Sequence, residues 1–372
     1  MHVLVTTDTL SRVWTYTQEL VTGLVNRGVR VTLVSFGDIP LAQQTSWMDS
    51  LQGLDYRPTA FRLDWMQDGQ QDFEEASHYL TAVAEEVRPD LLHLNQLCHG
   101  ALPVETPRVV VAHGDLITWW LAVHGREPKP SRWLTWYRDT LSRSIAEANM
   151  LIAPSAWMLS AIEACYGEAR ATGVVHHGRN PILFNPYVSK HDYVLAIGRL
   201  LDPSKQVSLL TQHSHPFPVC IVDADDHPAM LESSICTGVK LDLDVANLSL
   251  KGPQTEAQLR MLYSRAAIFV AASRYDPLGL SVLEAAFSRC AIVANDTPFF
   301  RETWGDAAVY FEAGDAESLS YVIRRLHEQR DLCRGYGARA FQRARECFTS
   351  QRMVDGYLQL YSHTLSSQAV AA

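Results

Sequence analysis

The sequence predicts an α/β protein made of two Rossmann-like, doubly wound parallel-sheet domains facing across a cleft. Three observations predict it. The chain has 372 residues, more than one hydrophobic core usually organises. Short β-rich runs alternate with longer segments of helical periodicity along its whole length. The alternation breaks once, at the polar, proline-bearing stretch NPILFNPYVSKHD (Asn180 to Asp192), and then starts again. The predicted divisions are 1–182 for the first domain, 190–345 for the second, and 346–366 for a terminal helix packing back toward the first.

The elements follow in order. HVLVTT is a strand, YTQELVTGLVNRG places Leu20, Leu24 and Val25 at helical spacing, and VRVTLVSFG closes a βαβ unit. Further strands are DLLHLN from Asp90, RVVVAH from Arg108, MLIAPS from Met150 and TGVVHHG from Thr172, with helices around 72 to 87 and 131 to 148. Repeated crossovers of this kind give parallel sheets. The second series is YVLAIGRL, FPVCIVDA, LSLKGP, IFVAAS, CAIVAND and AVYFEAG. A last helix puts Met353, Tyr357, Leu360 and Tyr361 on one face.

Composition removes several classes. At 47% hydrophobic and 20% charged, the chain is an ordinary globular sequence. A net charge of −9 lacks the basic footprint that nucleic-acid binding requires. The seven cysteines, Cys98, Cys165, Cys220, Cys236, Cys290, Cys333 and Cys347, are odd in number and never spaced as a metal-binding pair. Free thiols in a reducing cytoplasm are expected, with no metal and no cofactor. The start MHVLVTTDTL has no basic region followed by a long apolar one, and no run approaches the roughly 20 apolar residues of a bilayer span. Any membrane contact is then weak and peripheral.

Ligands of open α/β sheets sit outside the carboxyl ends of the strands. Two clusters lie there. After IFVAAS the chain turns through Asp276, Pro277, Leu278 and Gly279, and a helix begins near Leu280. Pro277 disfavours helix before it, and Gly279 permits close backbone approach. The unpaired amides of the first turn are a seat for a diphosphate, with Glu284 one turn in and Asp276 ahead of the turn. A capping aspartate and an exposed helical glutamate explain this cluster equally well when it stands alone. The second cluster is YVLAIGRLLDPSKQ, where a strand runs into Gly198, Arg199 and, six residues later, Lys205. A planar guanidinium and a compact ammonium at one strand end can bracket the oxygens of a diphosphate.

GRLLDPSK, LKGPQTEAQLRMLYSRAAIFVAASRYDPLGLSVLEAA and DTPFFRETWGDAAVYF together resemble glycosyltransferase family 4, retaining enzymes of the GT-B architecture. The likeness is dense from 193 to 315 and looser before that. The family's donor site is marked by two acidic residues with seven others between them, here Asp276 and Glu284. The resemblance implies that Glu284 binds ribose hydroxyls, Asp276 contacts the donor sugar, Arg199 and Lys205 hold the diphosphate, and Lys251, Gly252 and Pro253 border the base. It also implies that His113, after the strand of VVVAHGDLITWW, lies near the reacting carbon. The expected reaction is transfer of a hexosyl group from a nucleotide sugar, a UDP-sugar ahead of a GDP-sugar, to a carbohydrate, lipid-linked or small-molecule acceptor. The alternatives are a nucleotide-sugar-binding protein with degraded chemistry, and an epimerase or phosphorylase on the same plan.

Some positions depart from the family pattern. Asp276 is one methylene shorter than the usual glutamate. Ser11 and Arg12 stand where a glycine pair commonly opens a loop against the phosphates, so Arg12 either adds a cation there or crowds the site. Arg289 and Ala291 replace a frequent glycine and proline, a turn variation of small expected consequence. The HHG turn matches the family only in Gly178, and His176 and His177 are read as structural. The segment GREPKPSRWLTWYRDTLSR sets Arg126, Lys129, Arg132, Arg138 and Arg143 among Trp133, Trp136 and Tyr137. It is either a core-packed helix with a solvated face or a surface for anionic lipid or a charged acceptor. Trp119 and Trp120 either stack on an acceptor or fill the core.

Overall fold

The computed structural model of the chain describes residues 1–66, 69–223 and 247–371. Cys236 and Ala224, the last residue of the predicted FPVCIVDA strand, lie outside them. The chain divides into two compact units, one of Met1–Leu121, Arg126–Gly178 and Ser350–Ala372, the other of Ala122–Gly125 and Arg179–Thr349.

The first unit is a parallel seven-stranded sheet in the order β3-β2-β1-β4-β5-β6-β7. Its strands are β1 (His2–Asp8), β2 (Arg30–Phe36), β3 (Leu54–Pro58), β4 (Leu91–Leu94), β5 (Arg108–Val111), β6 (Met150–Ala153) and β7 (Thr172–Val174). Every residue of β1 is buried, as expected of a central strand covered by helices on both faces. The sequence reading has no strand at β3. LDYRP pairs only with β2 and buries none of its residues fully, so this edge strand carries no apolar run.

The Val13–Val25 helix follows β1, and the Ser350–Ala371 helix packs on it at close range. A Cβ added at Gly23 would stand 2.5 Å from Cγ2 of Val354. Tyr357 lies edge-on to Tyr16, with ring centroids 6.2 Å apart.

The second unit is a parallel six-stranded sheet in the order β10-β9-β8-β11-β12-β13. Its strands are β8 (His191–Ile197), β9 (Val219–Val222), β10 (Leu248–Lys251), β11 (Ala266–Ala271), β12 (Ala291–Asn295) and β13 (Ala308–Phe311). The core beside it joins Val194, Ile268 and Val293 of the sheet to Leu319, Ile323 and Leu326 of the Ala316–Glu328 helix. Burying each such side chain contributes about 1.5–3 kcal/mol. The predicted linker is anchored to this unit. Phe184 stacks on Phe287 at 6.0 Å, and the Lys190 ammonium donates to the carbonyls of Tyr263 and Ser288.

Strand order fixes where a ligand fits. In the second unit the chain winds outward from β8 to β10, then crosses to β11 and winds the other way. The loops after β8 and β11 therefore diverge, and a crevice opens between them at that switch point. The first unit has its switch between β1 and β4.

Candidate functional site

The loop after β8 is organised by Asp202, which is 7% exposed. Its Oδ1 accepts from the Ser204 amide at 2.8 Å and the Ser204 hydroxyl at 2.6 Å, and its Oδ2 pairs with Arg199 Nη2 at 3.2 Å. Asp202-Pro203-Ser204 is thus a side-chain-closed turn that presents Arg199 on one side and Lys205 on the other. Gly198 makes room for it. A Cβ there would stand 3.0 Å from Cβ of Lys205.

The loop after β11 lies alongside, joined by the Arg274 amide donating to the Ser204 carbonyl at 2.7 Å. Asn295, at the end of β12, donates through Nδ2 to the carbonyls of Ala272 and Ser273 at 3.2 and 3.3 Å. Lys205 Nζ reaches Asp276 Oδ1 at 3.0 Å, with side chains 31% and 16% exposed. Gly279 is the N-cap of the Leu280–Phe287 helix with φ +57°, a backbone that disfavours side chains, and no side chain caps the helix. The Val282 amide donates to the Gly279 carbonyl at 3.1 Å, and the amides of Leu280 and Ser281 ahead of it are the ones a helix start offers to other acceptors. Arg199 keeps a buried Nη1 without a hydrogen-bond partner among the described residues.

Lys205, Asp276, Arg199 and Gly279 therefore meet at the switch point of one sheet. Leu278 is half-buried and Leu280 is 2% exposed, packing the turn onto the unit. Gly252 and Pro253 are exposed in the loop after β10, where Gln254 Nε2 donates to both carbonyls at 3.0 and 3.1 Å. Glu284 is not the exposed helical glutamate of the simpler reading. Its side chain is 4% exposed and pairs with Arg179 Nε at 3.1 Å, the Arg179 side chain being 3% exposed. Sequence reasoning missed Arg179 and Asp202. The Asp-Pro-Ser turn signalled Asp202, whereas nothing local to Arg179 announces a partner so far along the chain.

Arg12 and His113 belong to the first unit. Arg12 is the N-cap of the Val13–Val25 helix and half-buried. Ahead of it, Asp8 accepts from the amides of Leu10 and Ser11 at 3.0 and 2.7 Å and from the Ser11 hydroxyl at 2.9 Å.

His113 is 6% exposed, and both ring nitrogens have protein partners. The protons in this network can be assigned. Asn95 Nδ2 lies 2.6 Å from the Thr6 carbonyl, which only accepts, so Asn95 Oδ1 faces the histidines. Nε2–H of His113 at 2.7 Å and Nε2–H of His93 at 3.0 Å then both donate to it. In the neutral rings Nδ1 accepts, from Tyr361 Oη at 2.6 Å for His93 and from Nε2–H of His177 at 3.0 Å for His113. Burial lowers the pKa of His113 well below the usual value and that of His93 to about 4, which keeps both neutral. An imidazole that meets a sugar hydroxyl is not this arrangement, because its nitrogens are already committed. His177, read as structural, is one of the partners, and His176 Nδ1 sits 2.7 Å from the Pro154 carbonyl.

Trp119 and Trp120 are both half-buried and edge-on at 5.8 Å. In the Arg132–Glu147 helix, Leu134, Tyr137, Leu141 and Ile145 are buried while Arg138 pairs with Glu127 at 2.9 Å, a core-packed helix with a polar outer face. No described helix is long and apolar enough to cross a membrane.

Comparison with known proteins agrees with this architecture. The family model of Glycosyltransferase Family 4 matches residues 13–181, and that of Glycosyl transferases group 1 matches residues 190–343. The chain belongs to the family 4 glycosyltransferases of the GT-B fold.

Among curated relatives it is 25% identical over 241 residues to the lipopolysaccharide core biosynthesis mannosyltransferase LpcC of Rhizobium leguminosarum bv. viciae, covering 56% of this chain and 67% of that one. It is 30% identical over 112 residues to the alpha-maltose-1-phosphate synthase of Mycolicibacterium smegmatis, covering 28% of this chain and 29% of that protein. Among solved structures, Anabaena HepE in complex with UDP superposes with a TM-score of 0.72 at 17% identity, covering 99% of this chain and 100% of that one. That last likeness concerns the fold.

Proposed function

We propose that this glycosyltransferase moves a hexosyl group from a nucleoside-diphosphate sugar, a UDP-sugar ahead of a GDP-sugar, to a hydroxyl acceptor with retention of configuration. The observation that carries the reading is the cluster at the β8/β11 switch point. There Lys205 pairs with Asp276, just ahead of a helix start that no side chain caps, and Arg199 in the neighbouring loop keeps a buried Nη1 without a partner among the described residues. A guanidinium N–H held away from water without an acceptor is costly, and a phosphate oxygen is the acceptor that would satisfy it. HepE, solved with UDP and with UDP-glucose, and LpcC, a mannosyltransferase, support a nucleotide hexose as donor.

In this reading the C1–O bond to the diphosphate breaks while the acceptor oxygen bonds to C1 on the same face. The acceptor proton passes to the departing phosphate oxygen. Arg199, Lys205 and the amides after Gly279 stabilise the charge that grows on that oxygen. Gly198 gives Lys205 its position, and Leu278 and Leu280 fix the turn. Asp276, released from Lys205 by the phosphate, accepts from a sugar hydroxyl, and Glu284 accepts from the ribose. Gly252 and Pro253 border the base. With the protein's own cations in that role, the step needs no divalent ion. The six described free cysteines suit a reducing cytoplasm.

The test is incubation with a panel of UDP- and GDP-hexoses and sugar acceptors, reading nucleotide release and the anomeric configuration of the product. Release that depends on acceptor, with configuration retained, supports the proposal. Nucleotide binding without turnover favours the degraded-chemistry alternative, and an epimerised donor in the absence of acceptor favours the epimerase.

A further inference from the structure

We infer that Arg179 is a positioning residue of the nucleotide site, holding the Glu284 carboxylate in the orientation that receives the ribose. The inference rests on the donor-site reading above and names a residue it does not contain. Three features fix the guanidinium. The Arg179 amide donates to the Phe348 carbonyl at 3.1 Å, and Arg179 bridges to Thr349. Its guanidinium lies 5.7 Å over the Phe184 ring, which itself stacks on Phe287 at the end of the helix that bears Glu284. Glu256, half-exposed and already paired with Arg260 at 2.7 Å, approaches Nη2 at 3.8 Å from the other side.

The guanidinium is thus held between two carboxylates and clamped to one aromatic face. Its Nε meets Oε1 of Glu284 at 3.1 Å. A carboxylate offers about four acceptor positions on two oxygens. In the donor-site reading this carboxylate receives a vicinal pair of hydroxyls, the chemistry a ribose presents. A buried carboxylate charge is costly without a cation in contact. Arg179 supplies that cation at 3.1 Å. A planar fork fixes the carboxylate's orientation in a way that a point charge does not.

The inference separates binding from chemistry, since Arg179 touches neither the phosphate nor the reacting carbon. Donor KM and the dissociation constant of UDP are to be measured for wild type, Arg179→Lys and Arg179→Met, with kcat and a thermal melt for each. The expected result is a rise in KM and Kd of about tenfold or more in Arg179→Met, with kcat within about twofold, and a smaller, severalfold rise in Arg179→Lys. If Arg179→Met has no cooperative melt, Arg179→Lys decides. A severalfold rise in KM at unchanged kcat supports the role, and a wild-type KM refutes it. Unchanged UDP affinity in a folded Arg179→Met, whatever its melting temperature, makes the pair purely structural and overturns the inference alone. A wild-type protein that binds no nucleoside diphosphate overturns the donor-site reading and this inference with it.

Discussion

Lys205 and Arg179 each pair with a carboxylate, and burial makes the two pairs different. The Lys205–Asp276 pair is partly open to solvent, with 31% and 16% of the side chains exposed, so it contributes on the order of 0–1 kcal/mol to stability. The Arg179–Glu284 pair is nearly closed off, and removing one partner there costs about 3–5 kcal/mol. Lys205→Ala is therefore expected to melt within a few degrees of wild type while losing ~10²–10³-fold in turnover, the cost of deleting a charge-stabilising donor. Parallel melting curves and kcat measurements check this, and a stability loss without a turnover loss contradicts it.

A second residue-scale outcome concerns Arg289, whose φ of +62° lies in the left-handed region where glycine is at ease. Its guanidinium also sits 5.0 Å over Phe341. Arg289→Gly relieves about 1 kcal/mol of strain, loses about 0.5–1 from the ring contact, and loosens the unfolded chain by a similar amount. A change near zero to slightly destabilising is expected in denaturant titrations. Charges at strand ends were legible because Lys205 and Asp276 each lie close to a recognisable turn. The burial of Glu284 was not, because it depends on a partner brought in from the chain before β8.

At the scale of elements, the central strands were legible and the edge was not. β1 and β11 are buried along their full length and carry the apolar runs VLV and AAIFVA, whereas β3 alternates charge and aromatic residues against a single neighbour. The terminal helix was visible through Met353, Tyr357 and Tyr361, all at most 1% exposed. Its close approach to the Val13–Val25 helix was not, since it depends on the absence of a side chain at Gly23.

Gly23→Ala gains about 1 kcal/mol of helix propensity. It also forces a methyl to within 2.5 Å of a β-branched side chain, for which overpacking costs about 1–3 kcal/mol. Net destabilisation is expected, and Gly23→Ala combined with Val354→Ala should recover part of it. Melting temperatures of the single and double variants check the coupling.

For the whole molecule, the two-sheet architecture followed from chain length, the alternating pattern and its one interruption. Which loops diverge became visible only with strand order. Titration also belongs to this scale. His93 is lowered to about 4 and His99 to about 3 by burial, and His2, His113 and His215 are lowered as well. Each binds fewer protons folded than unfolded below pH 6.5, so each removes stability on acidification, up to about 1.4 kcal/mol per pH unit.

Burial raises Asp64 to about 6 and also raises Asp8 and Asp115. These carboxyls hold their protons more tightly when folded, so acid favours the folded state through them. Five histidines against three aspartates leave a net loss. The melting temperature should be flat from pH 8 to 7, fall first near pH 6.5 where the histidines act alone, and fall less steeply below 6. A melting temperature that rises from pH 7 to 5.5 contradicts this.

The central claim is that a nucleoside diphosphate is held at the β8/β11 switch point by Arg199, Lys205 and the amides after Gly279. Calorimetric titration of UDP into wild type and Lys205→Ala at fixed ionic strength tests it most directly. The account predicts one-to-one binding that weakens at least about tenfold, or about 1.4 kcal/mol, in the variant. Equal affinity in the two proteins would contradict it.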